Sequence, residues 1–332
     1  MQSLERVIAN MKTIVGVVAA SVLMLVLSVA PMAAQTWPQR TVKFILPLGP
    51  GSGADIGARL IAEKLAARWG QPVVVENRPG GDGIVAINAF VAARDDHVLL
   101  LSPSSAFIAH PYVYDKLSYD PRDLSPVARI SSTLISISVP PSLNVSSLNE
   151  VFAMARAQPG KLNWASTTGA TDLILQSHIK KSSLDMVRVP YRNPVEALTD
   201  TMNGRVHVYW AAHAIVQAQA EAGKVKVVAI TNSEPTSLLP GVPTVTQIGL
   251  PDLTLDGLIG IFGTRDLPQS VRERISADVK AALADPAIHS RLTATGQIVV
   301  PGSGAELAAS IDKQRAAMLE VAKALGIKEA TQ

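Results

Sequence analysis

The residues of this sequence best suited to chemistry are glycines and small hydroxyl residues in loops, each loop placed after an apolar segment. The first such loop, residues 47–55, reads Pro-Leu-Gly-Pro-Gly-Ser-Gly-Ala-Asp. Glycine lets backbone N–H groups approach a ligand closely, and the helix expected to begin there adds partial positive charge at its N-terminus. Such a loop can hold a carboxylate without a charged side chain, although a tight strand-to-helix turn would need the same glycines.

Three further loops share this composition and also follow predicted strands: residues 80–83, 102–106 and 166–171. Open α/β sheets bind ligands at the carboxyl ends of their parallel strands. The repetition of the pattern therefore favours a binding cleft lined by several loops over a set of unrelated turns.

The elements that must position these loops alternate between strand and helix. Apolar runs predict strands at residues 41–48, 72–76 and 97–101, and helical patterns fill residues 54–69 and 84–93. This alternation predicts a parallel sheet with helices on both faces.

A second domain is predicted because the alternation restarts. One strand is predicted over residues 127–139, ending at Pro140-Pro141, and a new strand–helix series follows. A chain of 332 residues accommodates two domains of ordinary size. We expect residues 35–137 and 256–332 to form domain I and residues 138–255 to form domain II, with crossings near residues 135–141 and 253–258.

The first loop also approaches a dinucleotide-binding fingerprint. Gly49-x-Gly51-x-x-Ala54 follows a strand and opens a helix, and Glu76 ends the next strand, where it could hold a ribose hydroxyl. Asp55, however, would lie in the first helical turn and repel a pyrophosphate. This interpretation is the weaker one, and no cofactor is expected.

Signals of catalysis or metal binding are weak. Neither Ser52-Gly53 nor Ser303-Gly304 forms the Gly-x-Ser-x-Gly turn of a hydrolase nucleophile. His207 and His213 could hold zinc, but no carboxylate accompanies them at ligand spacing. We therefore expect a protein that binds its ligand without catalysis and without a metal.

Composition excludes several classes of partner. Charged residues make up 17% of the chain and aromatic residues 4%, with a net charge of +3, which does not suit nucleic acid. The sequence contains no cysteine, so a disulfide framework, a thiolate metal site and a lipid-modified cysteine are all excluded.

The N-terminus has the layout of a secretory signal peptide. Lys12 precedes an apolar run over residues 14–30, and Ala33-Ala34 follows as a cleavage site. Translation could begin at Met1 or Met11. An uncleaved anchor is the alternative, since the run approaches the roughly 17 residues that span a membrane. We expect residues 1–34 to be removed and the remaining chain to be periplasmic.

Collinear motifs extend over nearly all of the chain after this segment. They include Trp37-Pro38, the run PLGPGSGADIGAR at residues 47–59, VVVENRPG at residues 73–80, VPYR at residues 189–192 and PGVPT at residues 240–244. With these motifs the sequence resembles the extracytoplasmic receptors of tripartite tricarboxylate transporters, also called Bug-type or TctC-like solute-binding proteins.

The resemblance implies a fold and a function. The fold would be two doubly wound α/β domains with two hinge crossings, the type II periplasmic binding protein or Venus-flytrap arrangement. The ligand would be a small organic carboxylate, such as a di- or tricarboxylate, an aromatic carboxylate or an amino acid. The partners would be the membrane components of the transporter, and the receptor would be a monomer. A sensor module for a membrane signalling partner would share all of these features, whereas a secreted α/β hydrolase would need a nucleophile and a base.

The resemblance also implies the ligand-binding residues. Those of domain I would be Leu48, Gly51, Ser52, Gly53, Ala54, Asp55, Gly81, Asp82, Ser104, Ser105 and Ala106. Those of domain II would be Ser166, Thr167, Thr168, Thr171, Tyr191 and Asn193. Asp82, Thr168 and Asn193 stand where the family commonly has glycine.

Overall fold

A computed structural model describes residues 37–166, 169–191 and 193–330, without the side chain of Ala106. The predicted signal peptide and two predicted site residues, Thr167 and Thr168, lie outside the described residues. Residues 40–332 form one compact unit, and every element named below belongs to it.

Strands and helices alternate along most of the chain. Its first half contains β1 (Val42–Leu46), α1 (Gly53–Trp69), β2 (Val73–Asn77), α2 (Ile84–Ala93), β3 (Val98–Pro103), α3 (Ser105–Ile108), α4 (His110–Val113), β4 (Ser125–Thr133), β5 (Ile135–Val139) and α5 (Leu148–Ala157). Its second half contains β6 (Leu162–Ser166), α6 (Gly169–Lys181), β7 (Met186–Arg188), α7 (Pro194–Met202), β8 (Val208–Ala212), α8 (His213–Glu221), β9 (Lys226–Ile230), β10 (Gly257–Gly263), α9 (Gln269–Leu283), α10 (Pro286–Ala294), β11 (Gln297–Ser303) and α11 (Gly304–Leu325).

These strands form two mixed sheets, and each sheet with its helices is one lobe. The first sheet has six strands in the order β11-β4-β10-β3-β1-β2, and the second has five in the order β7-β6-β8-β5-β9. The predicted parallel pairing holds for β2, β1 and β3 and for β7, β6 and β8. It fails at β10, which pairs antiparallel with β3 and β4, at β11, which pairs antiparallel with β4, and at β5, which pairs antiparallel with β8 and β9. The chain enters β10 and β5 from the other lobe.

The first crossing lies at Leu134. The prediction of one strand over residues 127–139 was wrong, since β4 belongs to the first sheet and β5 to the second. Leu134 donates its amide to the carbonyl of Gly296 and accepts at its own carbonyl from the amide of His213. Buried residues continue through this position, so hydrophobic periodicity does not reveal the change of sheet.

The second crossing connects β9 to β10 and runs beside the first. Asn232, which is buried, lies just after β9 and places its side chain between β4 and β5. Its Oδ1 accepts from the amide of Ile135 at 2.9 Å, and its Nδ2 donates to Ser132 Oγ and to the carbonyl of Thr133, both at 3.1 Å. One side chain thus holds the two crossings together.

The C-terminal helix α11 contributes to the cores of both lobes. Leu307 and Ile311 pack into the apolar cluster around Phe90 and Phe262 of the first lobe. Met318 and Val321 pack into the cluster around Trp164 of the second lobe. Among the described residues, no helix combines the length and the apolar character needed to cross a bilayer.

Candidate functional site

The loop between β1 and α1 is built around the buried carboxylate of Asp55. Ser52 caps α1 by accepting at Oγ from the amide of Asp55 at 3.2 Å. The carboxylate of Asp55 turns back into the loop, where it accepts from the amide of Gly51 at 2.9 Å. Gly51 has φ +82°, a conformation that favours glycine.

Two side chains outside the loop complete the environment of Asp55. Arg59 donates to both carboxylate oxygens at 3.2 and 3.0 Å, and Asn77 donates through Nδ2 at 2.8 Å. The same amide nitrogen donates to the carbonyl of Leu48 at 2.9 Å. Burial alone would raise the pKa of Asp55, but the bonds from Arg59, Gly51 and Asn77 outweigh it and hold that pKa below its ordinary value. Asp55 therefore shapes the loop and is fully engaged within its own lobe.

The loop between β2 and α2 has an unusual backbone. Gly80, Gly81, Asp82 and Gly83 all have positive φ, at 130°, 55°, 52° and 96°. Asp82 is anchored by the buried His110 of α4, whose Nε2 lies 3.3 Å from Asp82 Oδ2. Ring nitrogen Nδ1 of His110 contacts the hydroxyl of Tyr119 at 2.9 Å. The side chain of Asp82, which stands where the family commonly has glycine, is thus held by a buried residue of the first lobe.

The loop after β3 brings a serine pair to the same edge of the sheet. Ser104 is buried, and its amide donates to the carbonyl of Leu258 at 2.8 Å. Its hydroxyl makes no hydrogen bond to any described residue. Ser105, half-buried, begins the short helix α3, whose backbone includes Ala106. Leu48, at the end of the first loop, is half-buried.

In the second lobe, the loop after β6 is held by a carboxylate–arginine pair. Ser166 donates through Oγ to Asp172 Oδ1 at 3.1 Å, and Arg188 Nε donates to the same oxygen at 2.7 Å. Gln176 donates through Nε2 to the other carboxylate oxygen of Asp172 at 2.8 Å. Thr171 is buried in the first turn of α6. The arrangement parallels Asp55 and Arg59, with an acid near a helix N-terminus neutralised by an arginine.

Tyr191 and Asn193 are engaged within the second lobe. The hydroxyl of Tyr191 donates to Asp200 at 2.7 Å, and burial together with this carboxylate raises the pKa of Tyr191 to about 12. Asn193 is the N-cap of α7 and accepts from the amide of Val195 at 2.9 Å. Both side chains position the loop before α7.

The two lobes touch at the first turn of α6. A Cβ atom built on Gly169 would lie 2.9 Å from Cγ2 of Val113, a residue of α4 in the first lobe. Ala170, Leu173 and Ile174 of α6 share an apolar cluster with Ile108 of α3. The N-terminus of α6 therefore lies against the loop region that follows β3.

Free backbone donors are present at two helix N-termini. Gly53 and Ala54 occupy the first turn of α1, and Gly169 and Ala170 the first turn of α6, so their amides have no acceptor within the helix. None of the four amides donates to another acceptor among the described residues. Both helices follow parallel strands at their carboxyl ends, where the predicted site residues of each lobe gather.

The residues of the alternative sites have other structural roles. Glu76 of the dinucleotide interpretation pairs with Lys43 at 2.7 Å. His213 contacts Ser136 Oγ at 3.3 Å, and His207 contacts Asn163 Oδ1 at 3.0 Å. The structure adds a cluster that the sequence had not indicated: ligand atoms of Asp95, Asp96 and His97 are close enough to hold a metal, but Asp95 is held by Arg40 at 2.7 Å.

Several residues of the site had not been identified from sequence. Four residues outside the loops hold loop side chains in place: Asn77, Arg59, Arg188 and His110. Two of them carried a usable signal: Arg59 lies four residues after Asp55, the spacing of a helical ion pair, and Asn77 is the last residue of β2, the strand that pairs with β1. The contact of His110 with Asp82 depends on tertiary packing and has no local signature.

The family of the chain follows from its sequence match. Residues 57–327 match the family described as the tripartite tricarboxylate transporter family receptor. The chain belongs to this family. Protein BugT of Bordetella pertussis is 27% identical over 275 residues, covering 80% of this chain and 83% of BugT. A UPF0065 protein of Bordetella bronchiseptica is 28% identical over 307 residues, covering 92% and 91%.

Solved structures agree with this assignment. A Rhodopseudomonas palustris protein, Rpa4515 with adipate, superposes with a TM-score of 0.75 at 26% identity, covering 88% of this chain and 99% of that one. MatC from R. palustris with bound malate gives a TM-score of 0.71 at 25% identity, covering 86% and 99%. The predictions of a two-domain periplasmic binding protein fold and of a solute-binding receptor of this transporter family are confirmed.

Proposed function

We propose that the chain captures a small carboxylate between its lobes and presents it to the membrane components of a tripartite tricarboxylate transporter. The observation that carries this proposal is the pair of helix N-termini, in α1 and α6, at the carboxyl ends of parallel strands. Together they present four amides that have no acceptor among the described residues. Backbone donors and helix dipoles of this kind favour anions. The adipate and malate of the two R. palustris structures support the same ligand class.

The electrostatics of the loops support an anionic ligand. Asp55 and Asp172 are the acids nearest to the two helix N-termini, and each is paired with an arginine, Arg59 or Arg188. The negative charges of Asp55 and Asp172 are therefore balanced by these arginines and would not repel an anionic ligand. Each charge-assisted hydrogen bond contributes about 1.5–3 kcal/mol, so three or four of them offset an association cost of at least about 4 kcal/mol.

Ser104 is the side chain that we assign to direct contact with the ligand. It is buried at the edge of the first sheet, and its hydroxyl is unengaged among the described residues. Gly51, Ser52, Gly53, Ala54, Gly81 and Ser105 would contribute mainly backbone groups. Asp55, Asp82, Ser166, Tyr191 and Asn193 would act as positioning residues through the contacts described above.

A calorimetric titration with matched variants tests this assignment. Adipate and malate would be compared with adipamide, which has the shape of adipate without its charge. Ser104→Ala should weaken carboxylate binding roughly ten- to a hundredfold by removing one bond to a charged group. Ser102→Ala is the control, because Ser102 is equally buried but donates to the carbonyl of Pro103. Equal binding of adipamide and adipate would contradict carboxylate recognition.

The proposal includes export and lobe closure. Cleavage near Ala34 would release a monomeric receptor whose lobes hinge at residues 134 and 232–256. Mass spectrometry of the envelope fraction should give a mature N-terminus near Gln35, and an intact N-terminus in the cytoplasm would contradict export. Small-angle scattering should give a smaller radius with ligand than without.

Transport and sensing make different predictions for the living cell. Deleting the receptor should abolish uptake of the radiolabelled carboxylate while leaving gene induction by the same compound intact. The opposite result would favour the sensor alternative.

A further inference from the structure

The loop between β2 and α2 carries a carboxylate between two glycines. Asp82 has φ +52° and ψ +34°, a left-handed conformation that aspartate tolerates better than most residues. Glycine would adopt the same conformation without steric cost, so the turn alone does not require an acid at this position.

A buried histidine fixes the direction of this carboxylate. The ring of His110 is fully buried, and its centroid lies 5.2 Å from that of Tyr114 and 6.2 Å from that of Tyr119, both edge-on. Nε2 of His110 lies 3.3 Å from Asp82 Oδ2. The other oxygen, Oδ1, has no hydrogen bond to any described residue, and the side chain of Asp82 is 45% exposed. Asp82 thus has one oxygen held and one available to a ligand.

The protons of this group leave the charge of Asp82 in place. Burial and the nearby carboxylate of Asp82 raise the pKa of Tyr119, so its hydroxyl keeps its proton and can donate to Nδ1 of His110 at 2.9 Å. A neutral imidazole that accepts at Nδ1 donates at Nε2. His110 can therefore hold Asp82 without neutralising it.

Asp82 lies among the loops of the cleft. A Cβ atom built on Gly83 would lie 3.3 Å from Cβ of Pro47, so this loop packs against the loop between β1 and α1. The histidine that holds Asp82 belongs to α4, and Val113 of the same helix meets Gly169 at the N-terminus of α6. The carboxylate therefore lies between the first loop and the helix that contacts the second lobe.

The charge of Asp82 distinguishes it from the other acids of the site. Its ion-pair partner is the histidine, and no lysine or arginine pairs with it in the part of the chain that the structure describes. By contrast, Arg59 pairs with Asp55 and Arg188 pairs with Asp172. A carboxylate without a cationic partner repels a second carboxylate and attracts an ammonium group, and both effects grow where closing lobes exclude water.

We propose that Asp82 selects the ligand of the cleft and favours a zwitterion over a dicarboxylate. The amides at the N-termini of α1 and α6 would hold the carboxylate of the zwitterion, and Asp82 would hold its ammonium group. This inference rests on the function proposed above and narrows the ligand to a carboxylate that also bears a cationic group.

Calorimetry with probes of matched length tests this selectivity. Two pairs are compared at about pH 8, where primary ammonium groups remain charged: 4-aminobutanoate with succinate, and 6-aminohexanoate with adipate. For at least one length, the amino compound should bind the native protein roughly ten- to a hundredfold more tightly than the dicarboxylate. Equal or tighter binding of the dicarboxylate in both pairs would overturn the inference.

The variant Asp82→Asn separates contact with the ligand from support of the loop. It removes the charge and keeps an oxygen for His110, so the amino compound should bind at least about tenfold more weakly and the dicarboxylate should bind more tightly. Asp82→Gly should shift the two affinities in the same opposite directions, since glycine suits the positive φ. Weakening of both ligands together, or no change in either, would show that Asp82 only shapes its loop and would overturn the inference.

Glu63→Gln is the matched control for the loss of one negative charge. Glu63 is exposed on α1, about 15 Å along the helix from Gly53, which exceeds the distance of about 10 Å over which salt screens exposed charges. Both affinities should therefore stay unchanged in this variant.

The same titrations distinguish this inference from the proposed function. If no compound of either pair bound the native protein at millimolar concentration, carboxylate capture itself would be contradicted. Binding of the dicarboxylates without a selective effect of Asp82 would contradict only the present inference. Unfolding curves would confirm that each variant is folded.

Discussion

The side-chain oxygen of Asn232 lies 2.9 Å from the backbone nitrogen of Ile135, which joins the two crossings by a buried hydrogen bond. The same side chain reaches the carbonyl of Thr133 on the other side of Leu134. Because these partners belong to β5 and β4, Asn232 bridges the point at which the chain changes sheets.

Replacing Asn232 should destabilise the whole receptor. Asn232→Leu leaves the amide of Ile135 and the carbonyl of Thr133 buried without partners, and each such group costs about 1–3 kcal/mol. Urea unfolding should therefore show a loss of a few kcal/mol. Asn149→Leu is the control, because Asn149 bonds to Ile248 from an exposed position and should change stability by no more than about 0.5 kcal/mol. Equal effects of the two substitutions would contradict the bridging role.

Neutralising Asp55 should loosen the first loop. Asp55→Asn cannot accept from Arg59, Asn77 and Gly51 together, so we expect a loss of about 1.5–3 kcal/mol near neutral pH. Carboxylate binding should weaken through the disordered loop, and an amino acid should lose no more affinity than a dicarboxylate does. Selective loss of amino-acid binding would instead mean that Asp55 contacts an ammonium group.

The pH dependence of the same variant checks the sign of this effect. The pKa of Asp55 is lower in the folded state than in the unfolded state, so its contribution is fully present above the unfolded value of about 3.9. The contribution is lost as pH falls through the folded pKa. The difference in unfolding free energy between the native protein and Asp55→Asn should therefore shrink as the solution is acidified below about pH 4.

The contact between Gly169 and Val113 should limit closure of the lobes. Gly169→Ala places a methyl group within 3 Å of the Val113 side chain, so we expect carboxylate affinity to fall by about tenfold, or about 1.4 kcal/mol. Val113→Ala should restore binding in the double variant, because it removes the obstructing methyl groups. Additive losses in the double variant would show that the two residues do not meet in the bound form.

His213 should make stability sensitive to mild acid. Burial lowers the pKa of His213 below its ordinary value, so the folded state favours the neutral ring. Stability from this residue is complete above the unfolded pKa of about 6.5 and is lost as pH falls below it toward the folded pKa. His213→Gln should flatten the decline in melting temperature between about pH 7 and pH 5. An unchanged decline would exclude His213 as its cause.

The strands and helices within each lobe were easier to predict from the sequence than the crossings between the lobes. Glycine loops after apolar strands indicated at which edge of each sheet the loops of the candidate site lie, because that pattern depends on local turn chemistry. The change of sheet at Leu134 was missed because both neighbouring strands are apolar and buried. The antiparallel direction of β10 and β5 depends on the path of the chain between lobes, which no local pattern records.

Side-chain roles within the site were harder to predict for a related reason. Asp55, Ser166, Tyr191 and Asn193 lie in the expected loops, yet each side chain is engaged by a partner within its own lobe. Arg188, for example, lies sixteen residues after Asp172 on another element. The amino-acid composition identifies a loop. The direction in which its polar side chains point is set by contacts with residues on other elements.

Helix α11 has a consequence for the order in which the protein can fold. Ribosomes deliver the chain from its N-terminus, at about 5–20 residues per second, and domains ordinarily fold as they emerge. Here Leu307 and Ile311 fill one core and Met318 and Val321 fill the other, so neither lobe has its complete interior until these last segments are synthesised. Both lobes would then mature together once this last helix is available, and a chain truncated before residue 304 would lack the finished core of either.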